Sequence, residues 1–209
     1  MSAPVLAASE PVATEPVAAA IAPRRRTLQV GTGFAAAAAL MYFGGLLGVY
    51  FSERADFLRA NPGQSWIPAG ARVELTAPTV MAWTLLLSVV TMQWVVHAAK
   101  RDDRRHTLIA LIVTAIFGVA VINQTAFQYR QMELTIDGGS LAAPLIYTIS
   151  GSHLALVIVA LVYLFVMAVR TLTSPAPSAH LDGMTAAALL WHVMVFVYLV
   201  IWVGIFVTK

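Results

Sequence analysis

The sequence predicts an all-α fold, an integral membrane bundle of five transmembrane helices. Five apolar stretches are each long enough to cross a bilayer, which takes about 20 mainly apolar residues. None of them contains Asp, Glu, Lys or Arg, so the 13 basic and 10 acidic residues all lie in the tails and connections. Hydrophobic residues make up 59% of the 209, which leaves little for a soluble domain. The predicted spans cover approximately residues 28–51, 78–99, 107–128, 142–169 and 184–207.

Basic residues predict the orientation, because Lys and Arg are enriched in the short cytoplasmic loops of membrane proteins. A cytoplasmic N-terminus and an outer C-terminus place eight basic residues on the inner side and five on the outer side. The clusters Arg24–Arg26 and Lys100–Arg105 both fall on the inner side. The net charge of +3 is therefore interpreted as an orientation signal and not as a nucleic-acid surface.

The N-terminal segment is predicted to be a disordered, basic-ended tail over residues 1–26, followed by one membrane domain over residues 27–209. Pro4, Pro11 and Pro16 interrupt the tail, so it lacks the continuous apolar core of a secretory signal. In the loop after the first span, Trp66 is predicted to mark the outer membrane interface. The chain contains no cysteine, which excludes disulfides and Cys-based metal sites.

Small residues in the first span predict close packing against another helix. Gly44 and Gly48 have the small-xxx-small spacing that lets two helix backbones approach. The third span ends in a polar run that includes Asn123, Gln124 and Gln128. Buried amides need hydrogen-bond partners, so this end is predicted to face protein and not lipid.

Two histidines, His153 and His192, lie well inside predicted spans. Imidazoles on neighbouring helices could ligate one b-type haem from opposite faces. Alternatively, each is a strut that joins two helices by a hydrogen bond. His97, at the inner end of the second span, is predicted to be interfacial. The sequence shows no metal cluster, nucleotide loop or nucleophile–base pair. This favours a subunit of a complex over a free-standing enzyme. A small channel is a further alternative.

Several motifs, in order from the first span to the C-terminus, resemble subunit III of the haem–copper respiratory oxidases. Trp66 to Gly70 resembles the family's W-P-P-x-G, and Trp94 with His97 fits two letters of W-x-H-H. The remaining matches are Phe43, Gly45, Tyr50, Arg54 and Ala55 in the first span, the stretch FQYRQMELTIDGG, Gly151 and His153 in the fourth span, and Trp191 and His192 in the fifth. The five-span length fits a shorter bacterial form of the family.

The chain departs from the family pattern at four polar positions. Ala39 and Gln128 stand where the family has glutamates, Leu156 where it has a histidine, and Val195 where it has an aspartate. A role in proton handling through those carboxylates is therefore in doubt, whereas a scaffold role needs no ionised group. These losses also leave open a subunit associated with a nitric oxide reductase.

The resemblance implies a non-catalytic subunit that stabilises a terminal oxidase in the bacterial plasma membrane. Haems and copper would lie in subunit I and its neighbour subunit II, with no cofactor in this chain beyond bound phospholipid. The resemblance also implies a respiratory supercomplex as a further partner, whereas nucleic acid is not expected to be a partner. We expect no catalytic, cofactor-binding or metal-binding residues. The candidates for structural and interface contacts are His153, His192, Trp191, Gln128, His97, Gly44, Gly48 and Gly151.

Overall fold

The computed structural model describes residues 26–136, 140–174 and 176–208, and within them all regular structure is helical. Five helices are long and apolar enough to span a membrane. The predicted all-α fold with five spans is therefore confirmed. Of the tail predicted over residues 1–26, residues 1–25 lie outside the described residues, so its disorder stays a prediction. The helices are α1 (Thr27–Ala60), α2 (Thr76–Lys100), α3 (Arg104–Met132), α4 (Ala142–Thr173) and α5 (Leu181–Ile201).

Helix α5 is the centre of the bundle. Helices α2, α3, α4 and α5 form a ring in which each packs against the next, and α1 packs outside that ring against α5 and α4. In an apolar stretch of 18 residues, 56% of the residues are buried in the span Pro177–Val207, which contains α5, but only 22% in α1. A short 3₁₀ turn, Pro177–His180, leads into α5, and a π-helical turn, Trp202–Val207, continues it.

Helix α1 extends beyond the predicted span. It has 34 residues, or about 51 Å at 1.5 Å per residue, whereas a bilayer core is about 30 Å thick. The segment Ser52–Ala60 was expected to be part of the outer loop, but it continues the helix. This segment contains no proline or glycine. The residues that follow the helix are Asn61, Pro62 and Gly63, and Gly63 adopts a positive φ of 84°.

The loop after α1 folds back onto that helix. Trp66 is only 6% exposed, and its ring packs edge-on against Tyr50 and Phe57, with ring centroids 6.2 and 5.4 Å away. The side chain is therefore enclosed by protein, and its position at the outer membrane interface stays a prediction. The Arg72 backbone N–H donates to the Met132 carbonyl at 3.0 Å, which joins this loop to the end of α3.

The turn between α2 and α3 is fixed by its aspartates. Asp103 is the N-cap of α3 and accepts a hydrogen bond from the backbone N–H of His106 at 3.0 Å. The Asp102 carboxylate accepts from the backbone N–H of Ser178 at 2.8 Å. The Arg104 guanidinium donates to the carbonyl of Leu172 at the end of α4. This turn is thereby bonded to both ends of the α4–α5 connection.

Candidate functional site

Neutral polar side chains join α5 to α2 inside the bundle. Trp191 Nε1 donates to Ser88 Oγ at 2.9 Å, and the Tyr198 hydroxyl donates to the Pro78 carbonyl at 2.9 Å. Pro78 lies in the first turn of α2, and its carbonyl oxygen has two lone pairs, so it can accept this bond in addition to a bond within its own helix. Between membrane helices there is no hydrophobic driving force, so packing and such hydrogen bonds hold them together.

His153 joins α4 to α5. Its side chain is buried, and Nε2 lies 3.2 Å from the carbonyl oxygen of Met194. A carbonyl only accepts, so Nε2 carries the proton and the imidazole donates. The ring also contacts the Tyr198 and Phe43 rings, at centroid distances of 5.1 and 6.5 Å. This is the contact that the strut hypothesis expects of His153, and its contribution to stability stays a prediction.

His192 joins α5 to α2, on another side of the same helix. Its Nδ1 donates to the Ala188 carbonyl of its own helix, so Nε2 is unprotonated and accepts from the Gln93 amide nitrogen at 3.0 Å. The Nε2 lone pair of His192, which a haem iron would need, is therefore already engaged in the hydrogen bond from Gln93. The two imidazoles bond to different neighbours, and this geometry does not support the haem alternative.

Gln128 lies in a small cavity where α2, α3, α4 and α5 meet, which is lined by both polar and apolar side chains. It is 6% exposed and lines a space of about 10 Å³ together with Ser150, His153 and Tyr198. That size corresponds to about one water molecule. The Tyr129 hydroxyl bonds to Ser150 Oγ at 2.8 Å and closes one side of the cluster. The prediction that Gln128 faces protein is confirmed.

The rest of the polar run on α3 divides between protein and surroundings. Gln124 is partly buried and donates to the Ala77 carbonyl of α2 at 3.0 Å. Asn123 is exposed, so no other helix of this chain covers it, and its contact with protein stays a prediction. The two residues point in different directions because consecutive positions of a helix lie about 100° apart.

Trp191 is fully buried in the ring of four helices. It fits there because α3 presents Gly118, at which an added Cβ would lie 3.0 Å from the tip of the indole. Gly151 is less constrained, since an added Cβ would meet only the Tyr129 hydroxyl at 3.7 Å, an ordinary contact. His97 is exposed at the end of α2, beside Lys100 in one surface groove. An interfacial position for His97 agrees with that placement.

Gly44 and Gly48 do not mediate packing within this chain. Both are exposed on α1, and an added Cβ at either position would meet nothing within 4 Å. The predicted close approach to another helix is therefore wrong for the helices of this chain. The contact between α1 and its neighbours is made instead by the buried Ala36, Phe43, Leu47 and Tyr50.

Three residues that bond to other helices are not indicated by the sequence pattern: Ser88, Gln93 and Tyr129. Each is a polar side chain in or next to an apolar span, and each bonds to another helix. Their polarity was the available signal, because a polar group in a membrane helix generally needs a partner. Within the part of the chain that the structure describes, no group of three or more His, Cys, Asp or Glu could hold a metal ion.

Comparison with known proteins agrees with this architecture. Residues 18–208 match the family model described as "Cytochrome c oxidase subunit III". The chain belongs to the cytochrome c oxidase subunit III family. Membership confirms the resemblance drawn from the motifs, and five membrane-spanning helices make the chain a multi-pass membrane protein.

Individual relatives are similar over most of the chain. Proteins named "Cytochrome c oxidase subunit 3" from Bos taurus, Tragelaphus imberbis and Loxodonta africana are 32%, 31% and 30% identical over 146 residues. The aligned segment is 69% of this chain and 56% of each relative. The chain thus spans about half the length of the curated relatives it matches. These names do not point to a nitric oxide reductase, so that alternative is not supported.

Proposed function

We propose that this chain is the non-catalytic structural subunit III of a haem–copper terminal oxidase. In this role it stabilises a partner that carries the haems and copper and reduces oxygen, and the chain itself holds no redox centre. The observation that carries the proposal is family membership over residues 18–208. The neutral interior of the bundle supports this proposal. Its amides, hydroxyls and imidazoles join the helices by hydrogen bonds, and a structural role of this kind needs no charged side chain.

The proposed partners are subunits I and II of the oxidase, together with membrane lipid. The proposed location is the bacterial plasma membrane, with a cytoplasmic N-terminus and an outer C-terminus. The basic clusters at Arg24–Arg26 and Lys100–Arg105 support this orientation. Membership of a respiratory supercomplex would extend the same scaffold role.

Affinity purification of the tagged full chain from native membranes tests the proposal. We expect a haem–copper subunit I to co-purify, with an oxidase absorption spectrum in the complex and none in the chain after it is separated from its partners. Recovery of the chain without a haem–copper partner would contradict the proposal. A haem band in the separated chain would contradict the non-catalytic role.

The variant His153→Leu tests how the interior supports that role. It removes the hydrogen bond to the Met194 carbonyl, which is worth about 0.5–1.5 kcal/mol in a typical protein. We expect easier loss of the chain from the detergent-solubilised complex, with the haem spectrum of the complex unchanged. His97→Leu is the matched control, because His97 is exposed. A changed haem spectrum in His153→Leu would overturn the strut interpretation.

A further inference from the structure

We propose that the small cavity where α2, α3, α4 and α5 meet binds one ordered water molecule, which joins the side chains of Gln128 and His153. Its volume of about 10 Å³ corresponds to about one water molecule. Residues of this chain line the site, so the proposal stands independently of the proposed oxidase role.

The cavity lies inside the bundle and has both polar and apolar walls. Every lining residue except Ser150 is buried. Five of the lining side chains are polar, namely those of Thr125, Gln128, Ser150, His153 and Tyr198. A cavity of this size holds water when about two to four polar groups can bond to it, whereas a cavity with only apolar walls stays empty. The lining therefore meets the requirement for a bound water.

Two lining side chains keep hydrogen-bonding groups without a partner. The Gln128 amide is buried, and no side chain or backbone group of the described residues bonds to it. His153 donates through Nε2 to the Met194 carbonyl, so its Nδ1 is unprotonated and has a free lone pair. A buried polar group without a partner is costly in an apolar interior. A ligand in the cavity would pair both groups.

The hydroxyl groups at the cavity can accept a hydrogen bond but have no proton left to donate. Thr125, Ser150 and Tyr198 each donate to a backbone carbonyl, at 2.9, 2.7 and 2.9 Å. Their oxygen atoms can still accept. Among the described residues that line the cavity, Gln128 alone has free N–H groups. The site thus offers one donor group and several acceptors.

A water molecule fits this distribution of donors and acceptors. It can donate one proton to Nδ1 of His153 and the other to a hydroxyl oxygen, and it can accept a bond from the Gln128 amide nitrogen. A metal cation would find no carboxylate in the lining, and a charge without a counter-charge is costly inside a protein. The bound water thus connects α3 to α4, since Gln128 lies on α3 and His153 on α4.

Radiolytic labelling of the purified full chain in detergent tests whether the cavity holds water. Ionising radiation converts bound water into hydroxyl radicals, which oxidise the reactive side chains beside it, and methionine is readily oxidised. Met81 lines the cavity and is 3% exposed, whereas Met92 on the same helix is 0% exposed and does not line it. We expect Met81 to be oxidised at least about fivefold faster than Met92. Equal rates would indicate a dry cavity and refute the proposal.

The variant Gln128→Leu tests the role of the amide. Leucine is similar in size but has no hydrogen-bond donor, so the water loses its bond from this residue. We expect the oxidation rate of Met81 to fall at least about threefold, towards that of Met92. Gln131→Leu is the matched control, because Gln131 is exposed on the same helix and its replacement should leave the Met81 rate unchanged. An unchanged rate in Gln128→Leu, or an equal fall in the control, would contradict the assignment.

Solid-state NMR of the unmutated chain in lipid membranes gives a readout that does not depend on how a variant folds. With isotope-labelled histidine, magnetisation from water protons should reach Nδ1 of His153, and its chemical shift should be that of an unprotonated nitrogen that accepts a hydrogen bond. A protonated Nδ1, or the absence of transfer from water, would overturn the assignment.

Discussion

Trp191 shows how one residue satisfies two demands inside a membrane bundle. Its indole fills the space between the ring helices and is fully buried, while its N–H is bonded to Ser88. Buried tryptophans usually need such a partner, because an unpaired N–H away from water is costly. The residue was selected from a family motif, but its role is explained by this combination of volume and hydrogen bond.

Replacement of Trp191 by phenylalanine tests that explanation. Trp191→Phe removes the N–H and part of the volume, so we expect a loss of about 1–3 kcal/mol in stability. Thermal unfolding in detergent measures the effect. Trp83→Phe on α2 is the control, since Trp83 is 64% exposed and should change little. Equal melting temperatures for the two variants would argue against a central role of Trp191.

The carboxyl group of Asp103, in the turn before α3, predicts that the stability of the fold depends on pH. The His106 backbone N–H and then its imidazole, which donates to Oδ2 at 2.6 Å, lower the pKa of Asp103 below its ordinary 3.8. A carboxyl group with a lowered folded-state pKa stabilises the fold above its unfolded pKa, and this stabilisation is lost as the pH falls through the folded pKa.

The variant Asp103→Ala should therefore lower the melting temperature at neutral pH. The difference from the wild type should shrink as the solution is acidified below pH 3.8. Asp56→Ala is a suitable control, because Asp56 only pairs with Arg59 on the exposed surface of α1 and such pairs contribute little. A difference that stays constant with pH would rule out the carboxylate as the cause.

At the scale of elements, α3 and α1 use glycine differently. Gly118 on α3 lies where an added Cβ would approach Leu161 Cδ2 to 2.6 Å and the Trp191 ring to 3.0 Å. Gly44 on α1 faces open space. Glycine is common in membrane helices, so its presence alone does not identify a packing face.

The pair Gly118→Ala and Gly44→Ala separates these roles. Overpacking at Gly118 should cost about 1–3 kcal/mol, because the indole is held by its bond to Ser88 and does not move freely. Gly44→Ala should leave the thermal stability of the chain unchanged or slightly raised. Detergent melting curves of the purified chain compare the two. A destabilised Gly44→Ala chain would show that α1 packs differently.

In the whole molecule, hydrogen bonds between neutral groups join the helices inside the bundle. Ala39, Gln128, Leu156 and Val195 stand at positions where the family resemblance has ionisable groups. Of these, Gln128 lies in the small cavity next to His153, and the other three side chains contain no polar atom. These neutral positions support the proposed structural role, and the loss of proton handling through them stays a prediction.

The sequence by itself determined the number and positions of the helices. In lipid each backbone N–H and C=O must be bonded within its own segment, so a charge-free run of about 20 apolar residues has little choice but a helix. The same reasoning could not find that α1 continues through Ser52–Ala60, because the apolar signal ends where the helix leaves the membrane.

Only the tertiary structure decided which face of each helix is buried. In a membrane protein the lipid-facing and protein-facing sides are both apolar, so periodicity does not distinguish them. For that reason the sequence predicted a helix contact at Gly44 and Gly48 and did not indicate the contacts of Ser88 and Gln93. Their positions depend on how α2 and α5 pack, and that packing is a property of the folded bundle.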